Sequence, residues 1–158
     1  MRYIFLFTAI MVAVANAALA AQVDKPADNM AILAEKIRAD KKLFVAHNMQ
    51  LTEAEAKNFW PVYDAYQADL ARINTQLMAV IHGYAREFNA NTLTDDKAAK
   101  LLGDSIAVEE AEAKLKRSYI PRLTQVLSAK KAARYLQIEN KIRAIIRYEM
   151  ADGIPLAP

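Results

Sequence analysis

The chain has 158 residues with no cysteine, 21 Lys plus Arg against 18 Asp plus Glu, and only three glycines and five prolines. The lack of cysteine excludes a disulfide framework and thiolate chemistry, and a net charge of +3 gives no argument for a nucleic-acid partner. Sparse Gly and Pro beside abundant Ala, Leu, Lys and Glu predict an all-α protein.

Met1-Arg2 opens the chain, the stretch from Tyr3 to Val14 is nearly all apolar, and Ala18-Leu19-Ala20 follows. That layout reads as a secretory signal peptide cleaved near Ala20, which makes the periplasm the expected destination. The alternative is an amino-terminal anchor. The apolar run is shorter than the ~20 residues a span requires, so no stable membrane anchor is expected. Residues 21–27, with Pro26, read as a disordered lead, residues 28–152 as a single helical domain, and 153–158 as a C-terminal tail. Asp28 or Asn29 can cap the first helix, whose apolar face is Met30, Leu33, Ile37, Phe44 and Val45 and which should fade near Asn48.

Thr52 and Glu55 form a capping box at the start of the second helix. Phe59, Tyr63, Tyr66, Leu70, Ile73, Leu77, Val80 and Tyr84 then alternate at i+4 and i+3, the spacing of a coiled-coil seam. Running to Asn89, this helix would be ~57 Å long and needs other helices alongside. Pro61 removes a backbone hydrogen bond and crowds the carbonyl of Lys57, so a kink is expected there, with Phe59 and Trp60 filling the elbow. Trp60 either closes that elbow against Tyr119 and Ile120 or stands half exposed for a partner. Thr94 caps the third helix, with Asp95 and Asp96 suiting its dipole. The seam of that helix reads Ala98, Leu101, Ser105, Val108, Glu112, Leu115 and Tyr119, and Pro121 should kink it near its end. Ser128 starts the fourth helix, which Asp152-Gly153 and Pro155 stop. Its apolar residues are Tyr135, Leu136, Ile138, Ile142, Ile145 and Ile146. Lys130, Arg134 and Lys141 share one flank, and Arg143 and Arg147 another. The expected architecture is thus all-α, an elongated four-helix hairpin or bundle with two long kinked helices, whose antiparallel packing would bring the two bends together.

No constellation of residues specifies a reaction. His47 and His82 are the only histidines and lie far apart in sequence, whereas a zinc site needs three or four ligands. No Glu-x-x-His pair, nucleophile motif or Gly-rich phosphate loop occurs. Neither enzymatic activity nor a cofactor or metal is expected. Glu109, Glu110 and Glu112 read as a solvated helix face. The aromatic ladder reads first as packing. Its residues Phe59, Trp60, Tyr63 and Tyr66, with the basic Lys130, Arg134 and Lys141, are the candidates for partner contact.

The entries Leu51-Thr52-Glu53-Ala54-Glu55, Leu93-Thr94-Asp95-Asp96-Lys97 and Leu127-Ser128-Ala129-Lys130-Lys131 resemble the motif of the small periplasmic Spy and CpxP type proteins, the LTxxQ group. Glu, Lys and Lys stand where that motif has Gln. Phe59-Trp60-Pro61-Val62-Tyr63 and the stretch from Tyr135 to Lys141 are similar to uncharacterised secreted proteobacterial proteins. The resemblance implies an interleaved cradle-shaped homodimer acting as an ATP-independent chaperone or an envelope-stress adaptor for unfolded or partner proteins. A metal-responsive sensor, or a purely structural dimer, is the alternative.

Overall fold

A computed structural model describes residues 40–158. The expected signal peptide and lead, and Met30, Leu33 and Ile37 of the expected first helix, lie outside the described residues. Within them the chain forms four helices and no strand: α1 (Lys41–Met49), α2 (Glu53–Asn89), α3 (Asp95–Val126) and α4 (Ala129–Asp152). The fold is all-α.

The boundaries follow from capping chemistry. Thr52 accepts from the Glu55 amide, while the Glu55 carboxylate accepts from the Thr52 amide at 2.8 Å, which completes the capping box of α2. Thr94 and Ser128 each accept from the amide three residues on and so start α3 and α4. The first helix differs from expectation. Asp40 is extended (φ −161°, ψ 96°) and accepts from the Leu43 amide, so it caps α1 and breaks the continuous helix read from residue 28 or 29. α1 ends at Gln50, held in the left-handed region at φ 49°. Pro61 and Pro121 both sit inside continuous helices, where each removes one donor.

Short connections make consecutive long helices antiparallel neighbours. α2 and α3 form a close hairpin: Tyr66 meets Tyr119 edge-on at 5.2 Å near one end, and Gly83 faces Leu101 near the other. A Cβ on Gly83 would come within 3.2 Å of Leu101 Cδ2, so glycine permits that approach. α4 returns along α3, and α1 lies against α4. At the open end the Tyr84 hydroxyl donates to the Pro155 carbonyl at 3.0 Å, tying the tail to α2. Among the described residues no helix is long and apolar enough to cross a membrane.

The core is not distributed along the whole bundle. Phe59, Tyr63, Tyr66 and Leu70 from α2, Tyr119 and Leu123 from α3, Tyr135 and Ile142 from α4, and Val45 and Met49 from α1 bury one another at the end holding both prolines. Beyond Ile73 the α2 seam continues through Leu77, Val80 and Tyr84, but these are only half-buried.

Candidate functional site

At the closed end, Tyr135 of α4 is the centre of the aromatic packing. Its ring meets Phe59 at 5.1 Å, Tyr66 at 5.8 Å and Tyr63 at 6.0 Å, all edge-on, the geometry that the ring quadrupole favours. Burial, with the nearby Glu139 carboxylate, pushes the Tyr63 phenol up to about 12 and raises those of Tyr66 and Tyr135 as well. These phenols stay neutral throughout the physiological range and offer no acid or base at neutral pH.

Four of the sequence candidates, Phe59, Trp60, Tyr63 and Tyr66, therefore lie together, and three of them are turned inward. Phe59, Tyr63 and Tyr66 are 0 %, 4 % and 1 % exposed, so the core takes the ladder residues that were candidates for a partner surface. Trp60 is half-buried. Its neighbours are Phe59, Tyr63 and the Lys42 ammonium, 5.1 Å from the ring centroid, so α1 supplies the cover that Tyr119 and Ile120 were expected to give. The basic candidates lie elsewhere. Lys130, Arg134 and Lys141 are exposed, and Arg134 and Lys141 join Phe44, His47, Gln137 and Ile138 around a shallow cavity of about 530 Å3 between α1 and α4. His82 is exposed on α2, and among the described residues no group of three or more His, Asp or Glu is placed to hold a metal.

In the middle of the bundle, charges replace rings. The backbones of α2 and α4 stay apart here, and long polar side chains bridge them. Glu112 of α3, 3 % exposed, accepts from Arg143 Nε at 2.7 Å and from Arg147 Nη2 at 3.3 Å, and pairs with Lys116 at 2.9 Å. Burial alone would raise its pKa, but Lys116 and Arg143 hold it net below the ordinary carboxylate value. Glu139, also 3 % exposed, accepts from Lys41 Nζ and Gln67 Nε2, both at 2.9 Å. Arg143 donates through Nη1 to Asn74 at 2.7 Å, while its Nη2 is buried and has no partner. This cluster departs from the sequence reading, in which Glu112 belonged to a solvated face. Glu109 and Glu110 are exposed as expected, but Glu112 occupies an α3 seam position between Val108 and Tyr119 and is drawn inward with it. A signal was present: Tyr135, Glu139 and Arg143 recur at i+4 beside Ile138 and Ile142, so the charges follow the apolar stripe of α4.

At the open end a groove of about 670 Å3 runs between α2 and α3, bordered by no residue of α4. Ala79, Val80, Gly83, Ala107, Val108 and Ala111 line it, and Arg86, Lys97, Lys100 and Asp104 edge it. The small side chains of Ala79, Gly83, Ala107 and Ala111 leave this space, and Leu101 is the largest apolar residue that borders it. Met78, Leu102 and Ile106 are exposed on the same half of the hairpin. Its turn is fastened by Glu87, which accepts from Lys97 Nζ at 2.6 Å and from the Thr92 hydroxyl at 2.8 Å, and these contacts hold its carboxyl down to about 2.

The chain matches no protein-family model, no curated protein and no solved structure. Its own geometry is thus the basis for any functional reading. All three entry pentapeptides carry a charged residue at the fifth position, and each makes a tie between segments. Glu55 pairs with Lys131 at 2.5 Å, Lys131 also donates to the Gln50 carbonyl at 3.3 Å, and Lys97 fastens the hairpin turn. The fifth positions of the first and third pentapeptides thus bond each other, and they join the ends of α1, α2 and α4.

Proposed function

We propose that this chain is a non-enzymatic periplasmic protein of the Spy and CpxP kind, secreted through a leader cleaved near Ala20. Acting as a homodimer, it holds unfolded or partner proteins without nucleotide, as a chaperone or an envelope-stress adaptor. The observation that carries this reading is the open half of the α2–α3 hairpin, with its apolar-floored, charge-edged groove and the exposed Met78, Leu102 and Ile106. A holdase needs a broad amphiphilic surface that takes many segments weakly, and such a patch on a monomer marks an interaction site. The mixed charges at the edge favour long-range encounter with unfolded chains of either sign.

The purified mature chain, at near-stoichiometric ratio and without nucleotide, should suppress thermal aggregation of a model client. Ala107→Glu with Ala79→Glu, placed in the groove and away from the closed core, should abolish suppression with little change in melting temperature. A wild-type chain that leaves aggregation unchanged at fivefold excess rules out the holdase. Suppression that survives both substitutions moves client binding away from the groove.

A further inference from the structure

We propose that the groove between α1 and α4 docks an acidic protein segment that carries an apolar residue between its carboxylates. The basic residues of α4 fall into two sets. Lys131, Arg143 and Arg147 each find a carboxylate, Glu55 for the first and Glu112 for the other two. Lys130, Arg134 and Lys141 are exposed and have no ion pair or hydrogen bond among the described residues. With Gln137 they recur at i+4, i+3 and i+4, so they form one stripe along the helix, roughly 16 Å from first to last. Like charges on one stripe repel each other, and Lys130 also stands in the first turn, where the dipole disfavours a cation. Glu55 offsets that cost for Lys131, but no carboxylate does so for Lys130.

The groove beside this stripe measures about 530 Å3, with Arg134 and Lys141 two helical turns apart on its rim. Phe44 and Ile138 bring apolar surface to it, and no Asp or Glu lines it. Asn48 donates its amide to the Phe44 carbonyl at 2.8 Å, which leaves its oxygen as an acceptor, and the Gln137 amide has no partner among the described residues. A chain segment can use all of these together: carboxylates on the two cations, an apolar side chain on Phe44 and Ile138, and main-chain groups on the two amides. A lipid surface is the poorer match. It is flat and calls for a continuous apolar face, whereas this space is concave and has amides at its sides. Exposed cations keep most of their water, so the docking is weak, fast and sensitive to salt. The groove shares no residue with the one in the α2–α3 hairpin, and it stands whether or not the hairpin holds unfolded chains.

The test titrates the full mature chain with a short capped peptide, one leucine flanked by glutamates, and with its glutamine counterpart, followed by amide NMR. The glutamate peptide should bind saturably and shift the amides of His47, Gln137 and Ile138. The glutamine peptide should bind at least ~10-fold more weakly, and high salt should remove the difference. Arg134→Glu with Lys141→Glu should weaken the glutamate peptide by at least ~10-fold at an unchanged melting temperature. Gln137→Trp, which blocks the groove without altering charge, should weaken it as well. Lys114→Glu with Arg117→Glu makes the same change of net charge at exposed positions of α3 and should leave binding nearly intact, as should Ala79→Glu with Ala107→Glu in the hairpin. Equal affinity for the two peptides, or a loss in the α3 variant as large as in the α4 variant, overturns the proposal and leaves the stripe a solvated face. A loss confined to the hairpin variant also overturns it, by moving the acidic segment to that groove. Vesicles containing phosphatidylglycerol are the last arm: binding tighter than the peptide's, and lost with Arg134→Glu and Lys141→Glu, makes lipid the occupant and overturns the peptide.

Discussion

The two ends of the α2–α3 hairpin come from one continuous pattern and are filled in opposite ways. At the closed end the seam positions Phe59, Tyr63 and Tyr66 meet Tyr119 and Tyr135, and nearly every ring is buried. At the open end the seam continues at the same spacing with Leu77, Val80 and Tyr84, yet Gly83 is what meets Leu101, and the groove that Val80 and Leu101 border is lined otherwise by small residues such as Ala107 and Ala111. Periodicity sets which residues face a neighbour. Side-chain volume and the number of neighbouring helices decide whether that face becomes core. α1 and the first half of α4 cover the closed end, while the hairpin beyond Ile73 has its outer side uncovered.

The largest test of this contrast is a paired truncation. Phe59→Ala removes a fully buried ring that touches Trp60, Tyr63 and Tyr135, and should cost ~3–5 kcal/mol in urea unfolding. Leu77→Ala, at an equivalent seam position in the open half, should cost less, ~1–2 kcal/mol, because its side chain is only partly buried. Equal losses at the two sites would mean that the open half is covered in solution, by a second copy or by another part of the chain.

Between the two ends lies the charged cluster, which can be broken at Glu112. Glu112→Ala leaves Arg143 buried with no carboxylate at Nε and should destabilise by ~3 kcal/mol or more. Acid should mimic this in part. The folded-state pKa of Glu112 lies below its ordinary value of 4.5, so its contribution is complete above that value and disappears as the pH falls through the lower folded one. Unfolding measured from neutral pH down to about 3 should therefore fall less steeply in Glu112→Gln than in wild type. Parallel curves would show that Glu112 is not the carboxylate being titrated.

Much of this fold was legible in the residues. Thr52, Thr94 and Ser128 mark three helix starts, and Asp152-Gly153 marks the last stop, because each cap satisfies orphan backbone groups through chemistry local to a few residues. The seams of α2 and α4 were legible for the same reason that amphipathic periods are. Asp40 was less so. Its side chain is equally at home on a helix surface, and only the contacts Lys41 makes with Gln67 and Glu139 reveal why α1 begins there. The fate of the aromatic ladder depends on which helix lies opposite, and the burial of Glu112 and Arg143 on two charges far apart in sequence meeting across α3 and α4. Neither is encoded within one helix. Lys131 lies in the first turn of α4, where a helix dipole disfavours a cation, but it bonds Glu55 and the Gln50 carbonyl. Long-range partners of this kind lie beyond any reading of a single segment.

The smallest effect separates the two half-surfaces most cleanly, because it adds a single methyl group to each. Gly83 and Gly103 both occupy helix interiors in the open half of the hairpin. A helical glycine costs ~0.5–1 kcal/mol relative to alanine through the backbone freedom it loses on folding. Nothing lies within 4 Å of a Cβ built on Gly103, so Gly103→Ala should recover most of that amount and raise the melting temperature by a few degrees. At Gly83 the same gain is opposed. The new Cβ stands 3.2 Å from Leu101 Cδ2, and Leu101 must give way in the seam or the two helices must part. Gly83→Ala should therefore stabilise less than Gly103→Ala, or destabilise. The difference between the two variants in thermal unfolding reads how tightly the α2–α3 legs are clamped at the open end. Equal gains would show that Leu101 moves freely there, and that the groove beside it is wide because its walls are loose rather than because its side chains are small.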